Sequence, residues 1–167
     1  YPVFNADEEV GKLYKKNKRI FIKLKKVLPK FIYSFPINKN EIINAIFANK
    51  INLKKITKII HSEIRKEMNK FLKKHNNKKI VILDIPLLLE NKINKKGDML
   101  VFVKSNKKDI LKRLKKRPGF NFKLFGKFKK IQLPLDYKMK KSHFIINNNF
   151  TKKTVKKDIK HILKKIL

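Results

Sequence analysis

Cysteine is absent from this chain of 167 residues, which excludes a disulfide framework and any thiolate-held metal. The absence fits a reducing compartment, and a cytoplasmic location is the expectation. Long hydrophobic runs are missing as well. No apolar stretch approaches the ~18 residues a membrane span requires, so no membrane partner is expected. Glycine is scarce: Gly11, Gly97, Gly119 and Gly126 are the only ones, and none begins a Gly-x-x-x-x-Gly-Lys-Ser/Thr phosphate loop. Acidic residues are few, 12 against 46 Lys and Arg, leaving a formal net charge of +34.

What is present suits one globular domain spanning 1–167. Hydrophobic residues make up 42% of the chain, enough for a sizeable core. The positive excess attracts phosphates, whether on nucleic acid, an anionic membrane or a small polyphosphate. Lysine is spread along the whole chain and accompanied by many Ile and Asn residues, all with A/T-rich codons. Biased base composition alone is able to produce much of the charge, which by itself names no partner.

The most informative stretch is Lys79-Ile80-Val81-Ile82-Leu83-Asp84-Ile85-Pro86-Leu87-Leu88-Leu89-Glu90. Its β-branched and aliphatic run predicts a strand buried on both faces, as in a parallel sheet. Asp84 closes that strand, where open α/β sheets place their ligand sites. It either caps the following turn or supports Mg²⁺ in phosphoryl transfer. Tyr1-Pro2-Val3-Phe4 predicts a second strand end, and a helix follows with Val10, Leu13 and Tyr14 on one face. Asp7 at that junction is either the N-cap or a carboxylate able to take a proton from a substrate hydroxyl. The chain begins at Tyr1 without an initiator Met or signal sequence, and an opening strand with no lead-in predicts a missing upstream segment.

Residues 15–36 are poorly periodic and interrupted by Pro29 and Pro36. Asn38 to Glu41 offer a cap for a short helix with Ile42, Ile43, Ile46 and Phe47. From Asn52, apolar Leu53, Ile56, Ile60, Ile64, Met68 and Phe71 step by three or four, an amphipathic helix. His61 lies at the edge of that stripe, the position of a partly buried structural histidine or of a binding group. Met99 to Val103 predicts another buried strand, and Ser105 or Asn106 caps a helix with Ile110, Leu111 and Leu114 inward. Arg113 and Arg117, four apart, are expected on one helix face, either as a solvated stripe or closing on a polyphosphate. Phe122, Phe125 and Phe128 alternate with lysines, a pattern for stacking on bases or for a flap over a nucleotide. Phe144-Ile145-Ile146 reads as a strand, and Val155, Ile159, Ile162, Leu163 and Ile166 mark a last helix. Strands alternating with helices predict an α/β fold with a parallel sheet flanked by helices.

Taken in order, these pieces resemble the dephospho-CoA kinase family of P-loop kinases. The resemblance rests on Asn5-Ala6-Asp7, Ile37-Asn38-Lys39, Ile60-His61 and Asp84-Ile85-Pro86-Leu87-Leu88-Leu89-Glu90. It continues with Arg113-x-x-x-Arg117, Gln132 and Ile146-x-Asn148. It implies transfer of the ATP γ-phosphoryl group to the ribose 3′-hydroxyl of dephospho-CoA, with ATP and Mg²⁺ as cofactors. It also implies small-molecule partners, no specific nucleic acid and a monomer. Asp7 is then the base, and Arg113 and Arg117 stabilise the transferring phosphoryl. Asp84 supports Mg²⁺, while His61, Pro86, Leu87 and Glu90 line the acceptor side within and after a helical region at about 37–75. Asn148 sits near the adenine, and Lys127 belongs to a lid at about 113–132.

The departures are as specific as the matches. The family's phosphate loop has no counterpart, so the resemblance implies an N-terminally truncated copy lacking the first, central strand and inactive alone. Asn5 stands for Asp, Ser62 for Pro, Lys127 for a lid Arg, and His143 for an Asp before the final strand. Lysine keeps the charge of arginine but not its bidentate geometry. Two rival readings remain beside the kinase: a basic RNA-binding protein and a degenerate, inactive kinase-like protein.

Overall fold

The computed structural model describes residues 1–167. They form two compact units, Tyr1–Pro86 and Leu87–Leu167. The fold is α/β, and its strands pair in parallel, as two separate two-stranded sheets.

In the first unit, β1 (Val3–Asn5) leads directly into α1 (Ala6–Lys16), followed by α2 (Lys18–Val27), α3 (Lys39–Ala48), α4 (Lys50–Lys74) and β2 (Ile82–Asp84). Helix α4 is the spine. Its apolar positions Ile56, Ile60, Ile64 and Met68 recur every four residues, so they share one face. All four are buried, and α1, α2 and α3 pack against that helix. Ile20 and Leu24 of α2 and Ile32 beyond it are fully enclosed. Each such side chain contributes about 1.5–3 kcal/mol of burial. Asparagines start the helices: Asn17, Asn38 and Asn49 each accept a backbone N–H of the turn they open. Buried Glu41 takes backbone N–H bonds from Tyr33 (2.9 Å) and Ser34 (3.4 Å) and the Ser34 hydroxyl, which satisfies its carboxylate.

The second unit contains β3 (Val101–Lys104), α5 (Lys107–Lys115), α6 (Phe122–Ile131), α7 (Leu135–Lys141), β4 (Phe144–Asn147) and α8 (Lys152–Ile166). β3 and β4 are parallel, with Val101 opposite Phe144 and Lys104 opposite Asn147. α8 packs on β4, and its Asp158 accepts the Asn147 N–H at 2.8 Å. His143 precedes β4, where its Nδ1 accepts the Leu100 N–H at 2.9 Å.

Several expectations need correction. The strands predicted to be buried on both faces are short and half open: Ile82 is 43% exposed and Val103 54%. Each strand has one neighbour, so one edge and part of a face lack cover. Residues 15–36 contain a helix, α2, whose Ile20 and Leu24 are four apart; flanking Phe21 and Ile22 blur that period. The Phe/Lys segment is α6, capped by Asn121. Arg113 and Arg117 do not share a helix face, because α5 ends at Lys115. The residue before a proline is driven from helical geometry, and Gly119 (φ 71°) completes the turn.

Candidate active site

Two acids of the first unit are brought to one strand end. β1 and β2 pair in parallel with Asn5 opposite Asp84, so their carboxyl ends coincide. Asn5 connects the two: its Oδ1 accepts the Glu8 N–H at 3.1 Å, and its Nδ2 donates to Asp84 Oδ2 at 3.4 Å. Asn5 is therefore the N-cap of α1, and Asp7 is not. Asp7 lies in the first turn with Glu8 and Glu9, where the positive end of the helix dipole favours carboxylates. Both Asp7 and Asp84 are exposed. The cap of α1 is supplied by Asn5, so the Asp7 carboxylate is not needed for it.

His61 is half-buried on α4. Burial, and then the Arg65 charge, hold its pKa below the ordinary 6.5. Tyr14, on α1, is pushed up to about 12 by burial. Pro86 is exposed at the end of this unit.

In the second unit, the Leu87 carbonyl accepts the Asn91 N–H at 3.1 Å and its Nδ2 at 2.8 Å, folding residues 87–91 into a tight turn. Glu90 is paired with Lys138, and its Oε1 accepts the Leu133 N–H at 3.0 Å. Burial raises the Glu90 pKa, but the Lys138 bond and the backbone N–H groups of Glu90 and Leu133 outweigh it, so the net shift is downward. The predicted acceptor-side carboxylate thus ties α7 to the turn after residue 87. Arg113 and Arg117 are exposed. The Arg113 guanidinium lies 4.4 Å from the Phe150 ring centroid. Asn148 donates its N–H to the Lys104 carbonyl at 2.7 Å and accepts the Phe150 N–H at 2.9 Å. Lys127 is half-buried on α6. Lys138 and Phe150 were missed by the sequence reading, since neither belongs to a motif. A positive φ of 62° at Phe150 has no sequence signal beyond the Asn run before it.

No three His, Cys, Asp or Glu side chains cluster as metal ligands.

The model of the dephospho-CoA kinase family matches residues 1–154 of this chain. The chain belongs to the dephospho-CoA kinase family. The dephospho-CoA kinase of Wolbachia pipientis wMel is 31% identical over 163 residues, covering 96% of this chain and 83% of its own length. That of Rickettsia typhi is 29% identical over 166 residues, covering 99% and 85%. Among solved structures, a Thermus thermophilus protein superposes with a TM-score of 0.80 at 20% identity, covering 100% of this chain and 85% of its own. Dephospho-CoA kinase from Campylobacter jejuni gives 0.66 at 19%, covering 99% and 85%. The fold is that of the P-loop kinases, and the α/β expectation with parallel strands is borne out. Membership in the dephospho-CoA kinase family makes the protein a kinase-family transferase. No helix is long and apolar enough to cross a membrane.

Proposed function

We propose that the protein phosphorylates the ribose 3′-hydroxyl of dephospho-CoA with ATP, the final step of coenzyme A synthesis. Family membership supports the reaction, and the observation that carries the chemistry is the pairing of Asn5 with Asp84, which sets Asp7 and Asp84 at one strand end. Asp7 orients the hydroxyl and accepts its proton as the oxygen–phosphorus bond forms and the bond to ADP breaks. Arg113 and Arg117 stabilise charge on the transferring phosphoryl, so positioning and electrostatics do most of the catalysis. Asp84 is the residue that would hold Mg²⁺, which when bound neutralises charge on the phosphate oxygens. His61, Pro86 and Leu87 contribute to acceptor binding, Asn148 to the adenine side and Lys127 to the lid. Glu90 acts in the acceptor region by holding the turn that carries Leu87. The protein acts in the cytoplasm, as a monomer.

The test is conversion of dephospho-CoA to CoA by the protein as the cell makes it, with Asp7→Asn as control. Turnover should fall by about 10²–10⁴ in the variant, the usual worth of a positioned base. Absence of turnover in the cellular protein would remove the kinase reading.

A second reading draws on one observation. Phe122 is 59% exposed and carries the Lys115 ammonium 5.7 Å from its ring centroid, a platform suited to stacking on a single-stranded base. RNA binding that weakens steeply with added salt, in a protein without kinase turnover, would favour it.

A further inference from the structure

Phe150 is 37% exposed and sits at φ 62°, a left-handed conformation that a bulky side chain rarely adopts. The chain pins it there from both sides. Asn148 Oδ1 accepts the Phe150 N–H at 2.9 Å. Asn149 Oδ1 accepts both the N–H of Thr151 at 3.1 Å and its hydroxyl at 2.8 Å. A glycine or asparagine would meet this backbone with less strain. Burial does not account for the aromatic residue either, since more than a third of it faces solvent. What the loop delivers is a ring face beneath Arg113, whose guanidinium carbon is 4.4 Å from the centroid.

The salt bridges of the structure join Lys12 to Glu9, Lys66 to Glu63, Lys70 to Glu67 and Lys138 to Glu90, and do not include Arg113. The distinction matters for a group that has to meet phosphate. A carboxylate would orient the guanidinium but cancel its charge. An aromatic face orients it while leaving the charge and all five N–H donors for another anion. The loop that supplies the ring also contains Asn148.

We propose that Phe150 is a positioning residue, whose ring face holds Arg113 in place and unneutralised for the phosphates of ATP. The proposal rests on the kinase reading and adds a residue to it. It places the link between the nucleotide loop and the charge-stabilising arginine in one cation–ring contact.

The experiment is a double-mutant cycle on kcat/KM for dephospho-CoA phosphorylation in the cellular protein. Phe150→Leu keeps apolar bulk and removes the ring; Phe150→Tyr keeps the ring. The leucine variant should lose about threefold to tenfold in kcat/KM, the worth of an exposed to half-buried cation–π contact. The tyrosine variant should restore most of that loss. In an Arg113→Ala background the leucine change should cost nothing further, because the group it positions is gone. Thermal melting of each variant identifies losses that come from misfolding alone, and the tyrosine rescue must track activity and not melting temperature. A leucine variant as active as wild type, or equal losses in both backgrounds, overturns the proposal while leaving the kinase reading intact. A wild-type protein without turnover removes the kinase reading and this inference together.

Discussion

The two units divide the molecule's apolar residues unequally. All the buried apolar side chains lie in Tyr1–Pro86 except one, Ile162 of α8. The first unit has a four-residue period on α4 against which three helices pack, so its apolar side chains share one interior. In the second, α5, α6 and α7 bury no side chain fully. They carry Arg113, Lys127 and Lys138, and their order comes from caps, turns and one nearly buried ion pair. The lesson is physical. Cations have to stay in water, and a unit rich in them gives up the aliphatic surface from which a core is made. Stability should therefore reside in the first unit and polar, more easily opened structure in the second.

The sharpest way to break this comparison is to cut one side chain in each unit. Leu24 is fully buried on α2, and Leu24→Ala should cost about 2–5 kcal/mol in urea melts. Leu111 on α5 is 38% exposed, and Leu111→Ala should cost under about 1 kcal/mol. Equal losses would mean that the second unit owns a packed interior after all.

A smaller effect tests whether polar contacts replace that interior. The Lys138 and Glu90 side chains are 14% and 9% exposed. Lys138→Met leaves a nearly buried carboxylate with backbone donors only, at a cost of about 1–3 kcal/mol. The sign with pH is fixed by Glu90. Its folded pKa lies below the ordinary 4.5, so its stabilisation is complete above that value and is lost as pH falls through the lowered one. The gap between wild type and Lys138→Met should accordingly narrow in acid. A gap that persists unchanged at low pH would show that Lys138 acts through its stem and not its charge.

Legibility in the sequence follows the same division. α4 could be read because Ile56, Ile60, Ile64 and Met68 repeat at the helical period and are in fact buried. α2 escaped because Phe21 and Ile22 add apolar residues beside Ile20 and Leu24, which widens the stripe until it loses its period. In the second unit, periodicity had less to report, since few faces are buried. α7 went unread there, and Arg117 was assigned to a helix that stops short of it. The acids at the strand ends were legible from order and spacing, because a β-branched run closing on Asp is a local signal. What spacing could not carry was pairing across the chain: Asn5 reaching Asp84, Lys138 reaching Glu90, or Arg113 resting on Phe150. Such contacts depend on which elements meet, and no local pattern encodes that.

The mildest perturbation separates the units by pH alone. His61 belongs to the well-packed unit, and burial, followed by the Arg65 charge, keeps its folded pKa below 6.5. A depressed histidine favours the folded state while neutral. Its contribution is full above the unfolded value of 6.5 and drains away as pH falls through the folded one. Glu90 in the other unit begins to matter only below 4.5. Amide protection factors, which correct for the intrinsic slowing of exchange in acid, should therefore fall first on α4 as pH is lowered, and on α7 later, despite the larger core beneath α4. His61→Gln, which has no proton to gain, should abolish the early phase and leave the later one. The effect should be small, because the ring is only half-buried and water still reaches it. If both phases moved together in that variant, the two units would be opening as one cooperative body, and the contrast in their cores would not translate into a contrast in stability.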